Sequence, residues 1–223
     1  MPNLKARLLI VDDEPSTRTL LSQIFGNLGH PVRAAEDGFS ALEQIREEEP
    51  DILLSDLNMP GMSGFELLSV VRRRIPHIYV IATSGAFSGD CVPHGIAADA
   101  FHEKATGLDN LFQLVKTAAK LGKHVRAGAD ASAPIWISPV RQNVSSEASV
   151  LITCPECLRA FSLSVGAADF VIHETSCVYC RTAIHYATVQ PMNPRVPHRF
   201  RADSNGASAS RALQRQAPTG VAT

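Results

Sequence analysis

ILLSDLNMPGMSGFELL (residues 52–68) changes its periodicity halfway along. Its first part, read with Asp51 as DILLSD (51–56), is a short apolar run ending in an acid, the pattern of a strand buried on both faces. Met59-Pro60-Gly61-Met62 is turn material. Ser63, followed three residues later by Glu66, is a capping box that opens a helix. A strand thus ends on a carboxylate, and a helix starts a few residues further on.

The flanks repeat this alternation. Residues 5–13 (KARLLIVDD) read as a strand ending in two acids, and Leu20, Leu21, Ile24, Phe25 and Leu28 recur at helical spacing until Gly29. Val32 to Ala35 is a second strand. A helix from about Gly38 to Glu48 follows, with Asp37 as N-cap and Phe39, Ala41, Leu42 and Ile45 inward. Residues 78–83 (IYVIAT) and Ala100 to His102 supply the fourth and fifth strands, and a helix runs from Leu108 to Leu121. Strands alternating with helices predict an α/β fold, a doubly wound five-stranded parallel sheet. Residues 1–121 form this domain, 122–150 a linker in which Ile135-Trp136-Ile137 could dock, 151–190 a small cysteine-bearing β unit, and 191–223 a disordered tail.

The net charge of −1 hides an asymmetry. Residues 1–121 carry 11 basic and 16 acidic side chains (11 − 16 = −5), whereas residues 122–223 carry 10 and 6 (10 − 6 = +4). An acidic first domain argues against nonspecific nucleic-acid binding there, and the basic remainder leaves that question open. No apolar run approaches the roughly 20 residues that span a bilayer. The start lacks the longer apolar segment of a signal peptide, so a cytoplasmic protein without a membrane partner is expected.

In open parallel sheets, sites form beyond the C-terminal ends of the strands. Asp12 and Asp13 end the first strand, Asp56 ends the third, Ser84 follows the fourth and Lys104 follows the fifth, so all five converge on one edge. Three carboxylates there repel one another unless a cation lies between them, and Mg²⁺ suits such a site. Lys104 supplies a fixed charge opposite. Such a site can accept a phosphoryl group on Asp56 as nucleophile, with Lys104 and Ser84 holding its oxygens.

Four pieces, LLIVDDEPSTR (8–18), ILLSDLNMPGMSGFELL (52–68), VIATSG (80–85) and ADAFHEK (98–104), resemble the CheY-like receiver domain of bacterial two-component response regulators. The resemblance covers residues 5–121 and implies a flavodoxin-like fold. It implies a phosphorelay switch that is phosphorylated on Asp56 by a histidine kinase or phosphotransfer protein. At most such a switch has self-phosphorylation and autodephosphorylation activity; outside residues 5–121 no nucleophile–base pairing or acid pair is visible, so no output enzyme is expected. By the same resemblance, Mg²⁺ is held by Asp13, Asp56 and the backbone carbonyl of Asn58, with Asp12 acting mostly through water. Ser84 and Phe101 fill the switch positions. Two departures stand out. Ala105 follows Lys104 where the family has proline, which predicts a trans bond. Gly89, Pro93 and Gly95 suit a regular fourth helix poorly.

Cys154-Pro-Glu-Cys157 and Cys177-Val-Tyr-Cys180 are separated by 19 residues. Two C-x-x-C turns offer four thiolates, the tetrahedral shell of structural Zn²⁺, and the segment resembles a zinc ribbon. Thiol exchange and an iron site are the weaker alternatives. His173 and His185 read as packing or surface residues, Cys91 as a bystander, and Phe161, Phe170, Tyr179 and Tyr186 as the unit's small core. For output, a downstream protein partner is expected, reached through the surface around Phe101 and the last receiver helix, with the cysteine unit moving independently on its linker. The alternative is a DNA-binding regulator, drawn from Arg195, Arg199, Arg201, Arg211 and Arg215 in the tail. Against it, no recognition helix is visible.

Overall fold

A computed structural model describes residues 5–89, 92–122, 134–139, 148–165 and 170–189. Cys91, the tail arginines and the expected disorder of 191–223 lie outside the described residues.

Five strands, β1 (Leu8–Val11), β2 (Val32–Ala35), β3 (Ile52–Asp56), β4 (Tyr79–Ser84) and β5 (Ala100–Glu103), form a parallel sheet in the order β2-β1-β3-β4-β5. This is the flavodoxin-like receiver architecture. The central strands β1 and β3 are buried along their whole length, which is why they read as unbroken apolar runs rather than alternating ones. Helices α1 (Pro15–Asn27) and α4 (Leu108–Leu121) cover one face through Leu21, Phe25, Leu111 and Val115. Helices α2 (Gly38–Glu47) and α3 (Gly64–Arg74) cover the other through Ala41, Ile45, Phe65, Leu68 and Val71.

Both expected helix starts are realised as reciprocal caps, Asp37 with Ser40 and Ser63 with Glu66. Three apolar residues depart from expectation. Leu20 of α1 and Leu28, its C-cap, are about half exposed. Phe39 lies at the start of α2 beside the turn at Gly61 rather than over the sheet, and is 59% exposed.

Among the described residues between β4 and β5 there is no α-helix. That connection is held instead by a buried ion pair. Arg72 near the end of α3 donates to Asp99 at 2.8 Å, and the same carboxylate oxygen accepts the Val80 backbone N–H at 2.7 Å.

The second unit consists of two antiparallel hairpins. Strands β7 (Ala148–Thr153) and β8 (Ala160–Val165) form one, and β9 (Ile172–Ser176) and β10 (Ala183–Thr188) form the other. A further strand, β6 (Ile135–Ile137), lies within the stretch read as linker and pairs in parallel with β10. The resulting β6-β10-β9 sheet has two buried faces. Ile135, Ile137, Ile184 and Tyr186 pack toward the β7-β8 hairpin, whereas Trp136, Ala187 and Val189 join the apolar core shared with α3 and β4. The unit therefore sits on the receiver-like domain, contrary to the expectation of independent movement. No helix among the described residues is long and apolar enough to cross a membrane.

Candidate functional site

The strand ends bring the five expected residues together. Asp12 and Asp56 are buried, and Asp13 is partly exposed beside them. Carboxylate oxygens of all three lie within 4.8 Å of one another. Lys104 opens a short 3₁₀ turn (Lys104–Thr106), and its Nζ reaches Asp12 Oδ2 at 2.8 Å and Asp56 Oδ2 at 2.6 Å. No peptide bond among the described residues is cis, so the lysine reaches the site across the expected trans Lys104–Ala105 bond.

Two backbone amides fix the acids from below. Asp12 Oδ1 accepts the Glu14 N–H at 3.0 Å, and Asp56 Oδ1 accepts the Asn58 N–H at 3.2 Å. Gly64 permits the close approach of α3 to the end of β3. A Cβ there would lie 2.0 Å from the Asp56 carbonyl oxygen, a separation no side chain tolerates.

Burial raises the Asp56 pKa above the ordinary carboxylate value, against the opposing pull of Lys104. Asp13 is likewise raised, by burial and then by Asp12. For Lys104, burial works against the charge, but Asp56 and Asp12 prevail and its pKa lies above the usual value. Excess negative charge held in a partly dry cleft is the electrostatic signature of a cation site. The donors are all hard oxygens. Three carboxylates on one strand edge are the donor set that a hard divalent cation takes.

Ser84 is fully buried, and its Oγ accepts the Ala86 N–H at 3.0 Å and the Asn58 side-chain amide at 3.2 Å. Sequence reasoning assigned only the backbone carbonyl of Asn58, and its side-chain role depends on a contact 26 residues away that carries no local signal. Phe101 lies partly buried against the α3-side core, in register with Ala82 of β4.

Glu66 was also missed beyond its capping role. Its carboxylate accepts the Ser63 N–H at 2.9 Å and hydroxyl at 2.8 Å, and also the Ser138 N–H at 3.1 Å and hydroxyl at 3.2 Å. One side chain therefore ties the loop after Asp56 to the segment following β6.

The four cysteines converge as well. Cys154 and Cys157 lie in the β7-β8 turn, Cys177 and Cys180 in the β9-β10 turn. The turns have the same shape. In each, the first cysteine N–H donates to a carbonyl five residues on, and the residue after the second cysteine, Leu158 or Arg181, has positive φ and donates to the first cysteine's carbonyl. Cys154 Sγ lies 3.6 Å from Cys180 Sγ, and Cys157 Sγ lies 3.7 Å from Cys177 Sγ. A disulfide requires about 2.05 Å. The edge of a sulfur tetrahedron around a metal at about 2.3 Å is about 3.8 Å. The cluster therefore has the dimensions of a metal chelate, and hydrogen bonding with the Thr182 side chain and backbone lowers the Cys180 pKa to about 6. His173 stacks on Tyr186 rather than facing the sulfurs.

The expected aromatic core is only half right. Phe161 and Tyr186 are buried within the unit, but Phe170 packs on Phe65 and Phe87 of the first domain. Tyr179 is exposed at its turn under the Arg159 guanidinium.

Residues 8–116 match the family described as the response regulator receiver domain. The chain is 35% identical over 124 residues to the sensor histidine kinase RcsC of Salmonella typhi, covering 54% of this chain and 13% of that protein. It is 30% identical over 116 residues to the DNA-binding transcriptional regulator NtrC of Proteus hauseri, covering 51% of this chain and 24% of that protein. The chain thus spans a small part of these relatives. Among solved structures, the response regulator TrrA of Thermotoga maritima, in complex with Mg²⁺-BeF, is 30% identical with a TM-score of 0.47. That match covers 50% of this chain and 97% of TrrA. Residues 8–116 are a CheY-like response-regulator receiver domain, homologous to those of known two-component regulators, followed by a cysteine cluster able to chelate a metal.

Proposed function

We propose that this protein is a phosphorelay regulator whose single phosphoacceptor is Asp56. The observation that carries this reading is the Lys104 ammonium bridging Asp12 and Asp56 at 2.8 and 2.6 Å, with Asp13 completing the oxygen cluster. Asp12, Asp13, Asp56 and the Asn58 carbonyl would hold Mg²⁺, which neutralises charge on the transferring oxygens when bound. A carboxylate oxygen of Asp56 attacks phosphorus as the P–N bond of a phosphohistidine protonated on its other ring nitrogen breaks, and the bonding pair leaves with nitrogen as neutral imidazole. Lys104 then pairs with a phosphoryl oxygen, and the Ser84 hydroxyl donates to another. Similarity over 124 residues to a sensor histidine kinase supports a histidine kinase or phosphotransfer protein as donor.

The cysteine unit is read as a zinc-ribbon-like module with Zn²⁺ on Cys154, Cys157, Cys177 and Cys180. Its support is the paired turns and the sulfur spacing. Output then passes to a protein partner. The described part of the chain beyond residue 122 contains only strands, which offers no recognition helix for the DNA-binding alternative.

Phosphoramidate with Mg²⁺ tests the phosphoacceptor. The native chain is expected to gain one phosphoryl group by intact mass and to lose that gain with EDTA. Undiminished uptake by Asp56→Asn would overturn the reading.

A further inference from the structure

Among the described residues of the connection between β4 and β5 there is no α-helix, and the cysteine unit packs there against α3 and the connection itself. Trp136 of β6 is 3% exposed, with its ring centroid 4.8 Å from that of Phe65 on α3. Its indole N–H donates to the Gly95 carbonyl in the β4–β5 connection at 3.2 Å. Ser69 of α3 donates to the Pro134 carbonyl at 3.2 Å, and Glu66 holds Ser138. Phe170, which precedes β9, completes a cluster with Phe65 at 5.6 Å and Phe87 at 5.5 Å. Gly95 has a φ of +80°, and a Cβ there would lie 2.7 Å from Ile172 Cδ1, so the connection and the unit are fitted to each other.

One path joins this contact to the acid cluster. Ser84 Oγ accepts the Ala86 N–H at 3.0 Å, and Phe87, the next residue, is an edge-on neighbour of both Phe65 and Phe170. A phosphoryl group on Asp56 offers an acceptor to the Ser84 O–H, a donor role that the two bonds accepted by Ser84 Oγ leave open. Drawing that hydroxyl toward Asp56 takes it from Ala86 and pulls Phe87 off Phe170.

We propose that the cysteine unit is docked in place of the missing helix, and that phosphorylation of Asp56 loosens this docking through Ser84, Ala86 and Phe87. The inference rests on the phosphoacceptor reading above. The receiver's output is then the release of a surface on its own C-terminal unit, centred on Trp136 and Phe170. Two packings biased by one covalent group suffice for such a switch.

Trp136 is the chain's one tryptophan and lies within the contact, so its fluorescence reports docking directly. The full chain is treated with phosphoramidate and Mg²⁺, with the phosphorylated fraction read independently by intact mass. Phosphorylation is expected to shift Trp136 emission to the red and to increase its quenching by acrylamide. Phe87→Ala, outside the acid cluster, separates the route from the phosphorylation. Once intact mass shows it phosphorylated, its Trp136 signal should not change further. A phosphorylated native chain with Trp136 unchanged or more protected would overturn the inference and leave the phosphoacceptor reading standing. A Phe87→Ala chain that responds like the native one would overturn the proposed route. A chain that gains no phosphoryl group would overturn the reading and the inference together.

Discussion

Asp12, Asp13, Asp56, Ser84 and Lys104 were legible because each closes or follows a strand, and strand ends of a parallel sheet share one edge. Residues whose roles depend on distant partners were not. The Asn58 amide reaches Ser84, and Glu66 reaches Ser138 across 72 residues, neither of which has a local pattern. His102 belongs to the same class. It is buried in β5 with Nδ1 unpartnered among the described residues, and burial followed by Lys104 lowers its pKa from the ordinary 6.5. The unfolded chain therefore binds this proton more readily than the folded one. His102 costs nothing above pH 6.5, and stability falls as the pH drops below that value. Replacing it tests the sign: urea denaturation of His102→Leu at pH 7.5 and at pH 5.5 should lose less stability between the two than the native chain does. A larger acid loss in the variant would contradict this assignment.

At the scale of elements, the helices with capping signals appeared where the sequence predicts them, and the gap between β4 and β5 agrees with Gly89, Pro93 and Gly95. Ile135-Trp136-Ile137 stood out as a segment able to dock, but its place in the gap could not be read. Strand β6 is three residues long, too short for a period, and its partner β10 begins some 50 residues later. Parallel pairing over that distance is a property of the folded chain alone. In the absence of a helix, the Arg72–Asp99 pair organises the entry to β5, and both side chains are about 5% exposed. Removing one member of a buried pair strands the other charge. Asp99→Ala is accordingly expected to lower unfolding stability by about 3–5 kcal/mol, read from the urea midpoint. A loss under about 1 kcal/mol would show that solvent or a neighbour compensates the guanidinium.

For the molecule as a whole, the two units are joined by packing as well as by chain, so the state of one should be felt by the other. The two hairpins enclose only a small core of their own, so the Zn²⁺ proposed on the four cysteines would supply much of their stability. Protein purified under reducing conditions should carry one Zn²⁺ per chain, and its removal by a chelator should unfold the hairpins and expose Trp136. A metal-free chain with Trp136 still shielded would show that docking does not depend on the ion. The central claim, however, is chemical: one aspartate among three receives the phosphoryl group. Borohydride reduction of the phosphorylated chain converts an acyl phosphate to an alcohol, marking the acceptor permanently for peptide mapping. Homoserine is predicted at position 56, with Asp12 and Asp13 intact. Homoserine at position 12 or 13, or an unmodified Asp56 in a chain that has taken up phosphate, would contradict the account.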